Sequence, residues 1–553
     1  MKTLQGQGVS HGIAFGHLKF YHHDGNLGVQ RRPAQDAAAE IRRFEAALEE
    51  VSARLEDLYR QTVSSLGEEN AAVFQIHQMI LEDPDFLDAV REMIHTECVC
   101  AEYAVHKTGE LLAQSFAAMD DDYMQGRAAD VMDISRQLAA VLSGREEESL
   151  SFGSEPVILA ADDLAPSETA RLEKGKILAF VTAKGCTTSH TAIFARTMGI
   201  PAVVGLGAAL DQELDGLEVA VDGAVGTLLV EPDESRLRDL RARQAQLEQR
   251  RAEAERFRGK PTRSADGQTI RLFANVGGME DAKDAACCDA EGVGLLRSEF
   301  LYLASTDYPD EETLYNAYRG VLERMGGRQV IIRTLDIGAD KQAPYFHLAP
   351  EENPAMGLRA IRICLTRPEV FRTQLRAIYR ASAFGSAAIM FPMITGVEEV
   401  RRAREAALAV QEELRREGIA FDPCVPIGIM IETPAAAVLS DELAQASDFF
   451  SVGTNDLTQY TMALDRQNAA VADFDDPRHQ AVLRLIALAA KNAHAAGIWI
   501  GICGELGADE SLLSAFLDLG IDELSVAPAA ILPLRAKIAS ISRNGSYPEG
   551  SYK

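Results

Sequence analysis

Cysteine is scarce in this sequence and follows no regular spacing. The 553 residues include eight cysteines, at positions 98, 100, 186, 287, 288, 364, 424 and 503. One residue separates Cys98 from Cys100, and Cys287 adjoins Cys288, so neither pair has the spacing of a zinc-binding CxxC motif. Without a disulfide framework, we expect free thiols and a reducing, cytoplasmic compartment.

Long apolar runs and an excess of basic residues are also lacking. No run is long enough to span a bilayer, and the start, MKTLQGQG, lacks the apolar core of a signal peptide. The net charge of −28 argues against a nucleic-acid partner, since phosphate binding needs clustered Lys and Arg. An acidic surface suits a basic or neutral protein partner, although solubility alone also explains it.

The chain is too long for one hydrophobic core, and its composition changes along its length. Residues 34–147 are poor in glycine and carry apolar residues at helical spacing, with a break at Pro84, which predicts an inserted helical bundle. The β-rich segments 1–33 and 148–230 predict one α/β domain around this insert. The charged segment 231–262 predicts a long, exposed linker helix.

The segment 263–553 has a regular pattern of apolar, β-rich runs separated by helical stretches. These runs occupy residues 270–276, 292–298, 329–335, 387–394, 426–431, 448–454, 498–503 and 523–527. Eight strands alternating with helices predict a (β/α)8 barrel.

Polar residues follow most of these strands, at the end where such barrels carry their active sites. They are Arg297, Arg333, Asp336, Glu432, Asn455, Asp456, Cys503 and Glu505. Loop ends are commonly polar, which accounts for one or two of them. So many charges in a barrel mouth require a ligand or a metal ion as compensation.

The residue types point to phosphoryl transfer. Glu432 and Asp456 offer the hard oxygen ligands that suit Mg²⁺. Arg297 and Arg333 on neighbouring strands suit a phosphate, because guanidinium groups pair bidentately with its oxygens. Further cations follow at Lys341, Arg359 and Arg466. Cys503 is either a core residue or, beside such a site, a proton donor or acceptor.

A histidine in the first half is a candidate nucleophile. In KGCTTSHTAIFARTMGIPAVVG, His190 begins a helical pattern with Thr188 or Ser189 as a plausible N-cap. A helix N-terminus stabilises an anion, so a phosphate on His190 would be favoured there. By itself a Ser-His pair at a helix start is a weak signal.

These segments resemble Enzyme I of the bacterial phosphoenolpyruvate:sugar phosphotransferase system. TTSHTAIFARTMGIPAVVG resembles its phosphohistidine segment. GVGLLRSEFLYL, VIIRTLDIGADK, NPAMGLRAIR, IGIMIETPAA, SVGTNDLTQYTMALDR and GICGELGAD resemble its substrate domain, in order and over essentially the whole chain.

The resemblance implies a swivelling phosphohistidine domain and a mechanism. His190 would take the phosphoryl group of phosphoenolpyruvate and pass it to a histidine of the phosphocarrier HPr, which the helical insert would dock. Cys503 would protonate the enolate to pyruvate, and the barrel would form a homodimer. The resemblance implies that the substrate is bound by Arg297, Arg333, Arg359, Asn455 and Arg466. It implies Glu432 and Asp456 as the Mg²⁺ ligands. Thr169 and Ser189 would support the phosphohistidine.

One stretch departs from the family pattern. Gly185-Cys186-Thr187 stands where the family usually has Gly-Gly-Arg, which removes a cation near the phosphohistidine and puts its rate and stability in question. Pyruvate phosphate dikinase and phosphoenolpyruvate synthase share the histidine segment but need a large nucleotide-binding domain before it. The alternative to an enzyme is a regulatory protein that binds a phosphocarrier without catalytic turnover.

Overall fold

The protein is described by a computed structural model of residues 2–21, 29–66, 68–117, 122–144, 155–164, 166–169, 172, 175–185, 190–303, 305–338, 343–349, 351–466 and 468–542. The chain forms two compact units, Met1–Leu247 and Glu248–Lys553. No helix within the described ranges is both long and apolar enough to cross a membrane.

The first unit contains an eight-stranded mixed sheet. Its strands are β1 Lys2–Gln5, β2 Gln7–Ser10, β3 Ile13–Tyr21, β4 Val157–Ala161, β5 Ile177–Thr182, β6 Ala202–Val204, β7 Glu218–Asp222 and β8 Thr227–Val230. The spatial order is β1-β8-β7-β3-β4-β5-β6-β2, and β3 pairs parallel with β4 and antiparallel with β7. The N-terminal strands therefore complete the later α/β sheet, as predicted.

The turn between β7 and β8 shows why the local sequence folds as it does. Asp222 accepts hydrogen bonds from the amides of Ala224 and Val225, at 3.1 and 3.2 Å, which closes the turn. Gly226 has a φ of +75°, and a Cβ there would lie 2.6 Å from the carbonyl oxygen of Gly6. Only glycine tolerates both the positive φ and the close approach of this carbonyl oxygen.

The described residues between β3 and β4 form five helices. They are α1 Ala37–Leu66, α2 Glu68–Glu82, α3 Pro84–Glu97, α4 Ala101–Ala117 and α5 Asp122–Leu142. Their core includes the buried side chains of Phe44, Phe86 and Ile134. The predicted break at Pro84 is confirmed, because Asp83 caps α3 by accepting from the amide of Asp85 at 2.8 Å and Pro84 occupies its first turn.

Three helices complete this half of the chain: α6 Pro166–Thr169, α7 His190–Met198 and α8 Glu234–Glu255. The long α8 lies within the segment predicted as a linker helix. It begins where Asp233 accepts a hydrogen bond from the amide of Arg236, at 2.9 Å. Most of its residues are exposed, and the boundary between the two units falls inside it.

The second unit is a closed barrel of eight parallel strands in sequence order, which confirms the predicted (β/α)8 fold. The strands are β9 Arg271–Val276, β10 Val293–Arg297, β11 Val330–Arg333, β12 Ala387–Phe391, β13 Ile427–Ile431, β14 Phe449–Val452, β15 Trp499–Ile502 and β16 Glu523–Val526. Each lies within one of the predicted apolar runs.

Helices surround these strands. They are α9 Met279–Cys287, α10 Glu299–Leu303, α11 Glu311–Met325, α12 Ile361–Thr366, α13 Pro368–Ser382, α14 Val397–Glu417, α15 Pro434–Val438, α16 Ser440–Ala444, α17 Thr454–Met462, α18 Gln480–Ala496, α19 Leu513–Asp518 and α20 Ile531–Ala539. The large core lies between helices and strands. A smaller one fills the barrel interior with Phe273, Met390, Met430 and Phe449, together with Cys503.

A buried arginine on α20 closes the base of the barrel unit. Arg535 is 1% exposed and forms an ion pair with Asp289. It also donates to the Asp289 carbonyl oxygen at 2.6 Å, to Thr262 Oγ1 at 3.1 Å and to the Phe257 carbonyl oxygen at 3.2 Å. These bonds fasten α20 to the segment that precedes β9 and to Asp289, between α9 and β10.

We therefore expect Arg535→Met to lower the free energy of unfolding of the barrel unit by about 3 kcal/mol, because it removes the hydrogen bonds of a buried guanidinium group and leaves the partly buried Asp289 carboxylate without its cation. Urea denaturation followed by circular dichroism measures this. The control is Arg415→Met, which removes an exposed ion pair worth about 0–1 kcal/mol. Equal losses in both variants would contradict the prediction.

Candidate active site

The carboxyl ends of the barrel strands bring two predicted arginines side by side. Arg297 ends β10 and Arg333 ends β11, and the two residues are register partners. Arg297 is exposed at the barrel mouth, whereas Arg333 is buried. Nε of Arg333 has no hydrogen-bond partner among the described residues. Two guanidinium groups on adjacent strands can receive one anionic ligand.

Carboxylates hold the buried arginines in place. Arg333 forms ion pairs with Glu299 and, at 3.2 Å, with Asp336 Oδ2. Asp336 Oδ1 contacts Arg359 at 3.1 Å, so one carboxylate orients two guanidinium groups. Burial by itself would lower the pKa of Arg333, but Glu299, Asp336 and Glu432 outweigh it and raise that pKa.

A tyrosine that sequence reasoning missed also positions Arg359. Tyr460 accepts a hydrogen bond from Arg359 Nη1 at 3.3 Å and donates one to the Ala355 carbonyl oxygen. It lies on α17, four residues and about one helical turn after Asp456. That spacing was visible in the sequence, but nothing in it indicated Arg359 as the partner.

Two acidic residues follow neighbouring strands of the barrel. Glu432 follows β13 and Asp456 lies in the first turn of α17, directly after β14. Glu432 is 1% exposed and accepts a hydrogen bond from the amide of Met393 at 2.5 Å. Burial raises the pKa of Glu432, and the nearby carboxylates of Asp456 and Asp336 raise it further.

This pair fits a divalent cation that takes few protein ligands. A buried glutamate whose pKa is raised by other carboxylates would be stabilised in its ionised form by a cation. No group of three or more His, Cys, Asp or Glu side chains arranged to hold a metal occurs in the described part of the chain. Two carboxylates suit Mg²⁺, which keeps several waters or takes substrate oxygens.

Cys503 lies directly after β15, inside the barrel below these groups. Its side chain is 3% exposed and its Sγ lies 3.5 Å from the carbonyl oxygen of Val452. Burial raises the pKa of the thiol to about 12. The thiol therefore stays protonated at neutral pH, as a proton donor must.

Two asparagines connect the strand ends around Cys503. Asn275, at β9, donates to the carbonyl oxygens of Cys503 and Ser525, both at 3.1 Å. Asn455 donates to Glu505 Oε1 at 3.0 Å and accepts from the Glu505 amide at 3.1 Å. Asn275 was not predicted, because its only signal was a polar residue inside the run IRLFANV.

The remaining predicted residues are only partly described. The backbone of His190 begins α7. The His190 side chain, Ser189 and Lys341 lie outside the part of the chain that the structure describes. Thr169 is buried at the end of α6. Arg466 is exposed, and its amide donates to Gln459 at 3.3 Å.

Comparison with known proteins identifies the family. The chain matches three family models of PEP-utilising enzymes: the N-terminal region at residues 5–127, the mobile domain at 153–226 and the PEP-binding domain at 251–543. It is 42% identical to the phosphoenolpyruvate-protein phosphotransferase of Bacillus sp. (strain S), over 98% of this chain and 94% of that protein. The chain belongs to the phosphoenolpyruvate-protein phosphotransferase family.

A second relative carries the same name. The Bacillus subtilis (strain 168) protein of that name is 41% identical over 98% of this chain and 95% of its own length. A solution structure of Enzyme I (nEIt) covers 44% of this chain and 99% of that chain, at 35% identity and a TM-score of 0.38.

The high pKa of Cys503 leads to a prediction for this family member. At pH 8, iodoacetamide should label the exposed Cys98, Cys287 and Cys424 but spare Cys503 and the buried Cys364 in the folded protein. Peptide mass spectrometry identifies the labelled residues, and labelling in urea shows that every peptide is detectable. Early labelling of Cys503 would contradict a buried, protonated thiol.

Proposed function

We propose that this protein transfers the phosphoryl group of phosphoenolpyruvate to His190 and then to a histidine of the phosphocarrier HPr, with release of pyruvate. The observation that carries the proposal is the barrel mouth. There, three arginines, two acidic residues and a buried thiol meet at one end of the strands.

The arginines would bind the phosphate of the substrate. Arg297 and Arg333 end adjacent strands side by side, so the two can contact different oxygens of one phosphoryl group. Arg359, held by Asp336 and Tyr460, adds a third positive charge. Asn455 and Arg466, at and after the start of α17, would orient the rest of the substrate.

Glu432 and Asp456 would hold Mg²⁺. When bound, Mg²⁺ would neutralise negative charge on the substrate oxygens. Loss of the phosphoryl group leaves the enolate of pyruvate. The Cys503 S–H bond then breaks and a C–H bond forms on the methylene carbon, which gives the methyl group of pyruvate and a thiolate.

His190 would receive the phosphoryl group at the start of α7. The N-terminal end of a helix stabilises an anion through its dipole, which favours phosphohistidine at this position. Thr169 and Ser189 would support the imidazole. His190 must reach the barrel mouth during the cycle, since the substrate binds there.

The finer parts of the proposal rest on similarity to the family. They are HPr as the acceptor, docking on helices α1–α5, a place at the start of the sugar phosphotransferase system, a homodimer formed through the barrel and a cytoplasmic location. The supporting finding is 42% identity over nearly the full length of a phosphoenolpyruvate-protein phosphotransferase.

Phosphoenolpyruvate labelled in its phosphate tests the proposal directly. With Mg²⁺, wild-type protein should carry acid-labile label on His190, while His190→Ala should carry none yet still bind phosphoenolpyruvate in calorimetry. The exposed His95 on α3 provides the matched control, since His95→Ala should label normally. Label that persists in His190→Ala would assign the acceptor elsewhere. A folded but unlabelled wild type would favour a regulator without turnover.

The metal assignment gives a separate expectation. Glu432→Gln should raise the Mg²⁺ concentration for half-maximal labelling by at least ~10-fold, because it removes a charged ligand. Thermal stability should not fall, because a neutral amide replaces a carboxyl that burial disfavours when ionised. Glu398→Gln, on the exposed face of α14, is the control. Identical Mg²⁺ titrations for both variants would remove Glu432 from the metal site.

A further inference from the structure

A buried glutamine on a barrel helix contacts the ends of the two strands that carry Arg297 and Arg333. Gln374 lies near the middle of α13 and its side chain is completely buried. Its neighbours along the helix, such as Phe371 and Ile378, belong to the hydrophobic core of the barrel unit. A buried amide costs free energy unless its hydrogen bonds are made, so an apolar side chain would pack there at lower cost.

Both ends of the Gln374 amide form hydrogen bonds. Oε1 accepts from the backbone amide of Leu335 at 2.9 Å. Nε2 donates to the hydroxyl of Ser298 at 3.1 Å and to the hydroxyl of Tyr318, on α11, at 3.0 Å. Ser298 and Tyr318 are themselves buried. One side chain thus connects α11 to the residues that follow β10 and β11, and a buried network with its bonds satisfied holds these segments in one arrangement.

Ser298 extends this network to Arg333. The serine hydroxyl donates to the carbonyl oxygen of Arg333 at 2.7 Å, and the next residue, Glu299, forms an ion pair with the Arg333 guanidinium group. Two adjacent residues after β10 therefore contact the backbone and the side chain of one arginine. Arg297 and Arg333 are the last register pair of β10 and β11, so the serine continues the connection where the backbone pairing ends.

The hydrogen bond to Leu335 acts on the second arginine contact of the barrel mouth. Leu335 directly precedes Asp336, whose carboxylate oxygens lie 3.2 Å from the guanidinium group of Arg333 and 3.1 Å from that of Arg359. By accepting from the Leu335 amide, Gln374 fixes the peptide that leads to this carboxylate. A shift of that peptide would move the group that orients both arginines.

We propose that Gln374 is a positioning residue for phosphate recognition. It fixes the spacing of Arg297, Arg333 and Asp336 before the substrate binds. The inference rests on the proposed function, in which the arginines bind the phosphoryl group of phosphoenolpyruvate. Gln374 touches no substrate, because it is completely buried, and it acts through the strand ends. Two guanidinium groups bind different oxygens of one phosphate only at a matching separation, and a displacement of about 1 Å has a large effect on such a site.

The effect of Gln374 should be confined to the phosphate of the substrate. In the proposed function the arginines contact the phosphate, whereas Mg²⁺ and Asn455 hold the rest of the molecule. Pyruvate has no phosphate, so its binding should not depend on the spacing of the arginines. General damage to the barrel mouth would instead weaken the binding of phosphoenolpyruvate and pyruvate alike.

Calorimetry with Mg²⁺ in the His190→Ala protein tests the proposal, because both ligands bind there without phosphoryl transfer. The added change Gln374→Met keeps the length of the side chain but removes its hydrogen bonds. It should raise the Kd of phosphoenolpyruvate about tenfold and change that of pyruvate less than about twofold. The matched control is Gln411→Met, which replaces a buried glutamine of α14 that accepts from Arg415 at 3.3 Å. Both Kd values should stay within about twofold in this control.

A smaller change in the same network keeps the proposal testable if Gln374→Met does not fold. Ser298→Ala removes the hydrogen bond to the Arg333 carbonyl oxygen and should raise the Kd of phosphoenolpyruvate about threefold, with that of pyruvate unchanged. Ser382→Ala is its control, because it removes a bond of the same kind, from a buried serine to the carbonyl oxygen of Tyr379 at 2.6 Å. This control should bind both ligands as the His190→Ala protein does.

The pattern across the two ligands decides the outcome. Weaker binding of phosphoenolpyruvate alone, in the Gln374 and Ser298 variants and not in their controls, supports the proposal. Unchanged binding of phosphoenolpyruvate, or equal weakening of both ligands, overturns it. If the His190→Ala protein itself binds no phosphoenolpyruvate, the proposed function fails and this inference fails with it.

Discussion

The two-sided contact of Asp336 is the interaction on which the barrel mouth depends. Its two carboxyl oxygens hold Arg333 and Arg359, from different segments, at 3.2 and 3.1 Å. Burial of a guanidinium group without a carboxylate partner costs on the order of several kcal/mol. Asp336 orients both guanidinium groups before a ligand binds, so little conformational entropy of these side chains is lost on binding. The acidic residues of the mouth therefore matter as much for binding an anion as the basic ones.

The barrel interior shows a second compromise between stability and function. Its lower part is packed with aromatic and aliphatic side chains such as Phe273, Phe449 and Met390. Near Cys503 the lining changes to Gly501, Ser451 and Glu523, and the buried carboxyl of Glu523 has no hydrogen-bond partner among the described residues. Proteins keep such groups where function needs them. The change lies next to the buried thiol of Cys503, the proposed proton donor.

Much of the fold follows from sequence pattern, whereas the contacts within the site do not. All eight barrel strands lie in the predicted runs because a strand buried on both faces must be continuously apolar. Arg297, Arg333, Glu432 and Asp456 were found because polar residues at strand ends are conspicuous in such a pattern. Partners that come from other segments have no periodicity to reveal them. Glu523 stood in the run ELSVA as an ordinary strand residue, and only the closed barrel shows that its carboxyl points inward.

The division of the chain into two units separates two kinds of chemistry. In the proposed reaction, the C–H bond would form beside Cys503, which lies in the barrel unit, Glu248–Lys553. The P–N bond would form on His190, which lies in the first unit, Met1–Leu247. The unusual Gly185-Cys186-Thr187 stretch also lies in the first unit. Any effect it has should therefore fall on phosphoryl transfer to and from His190, and leave substrate binding by the arginines unchanged.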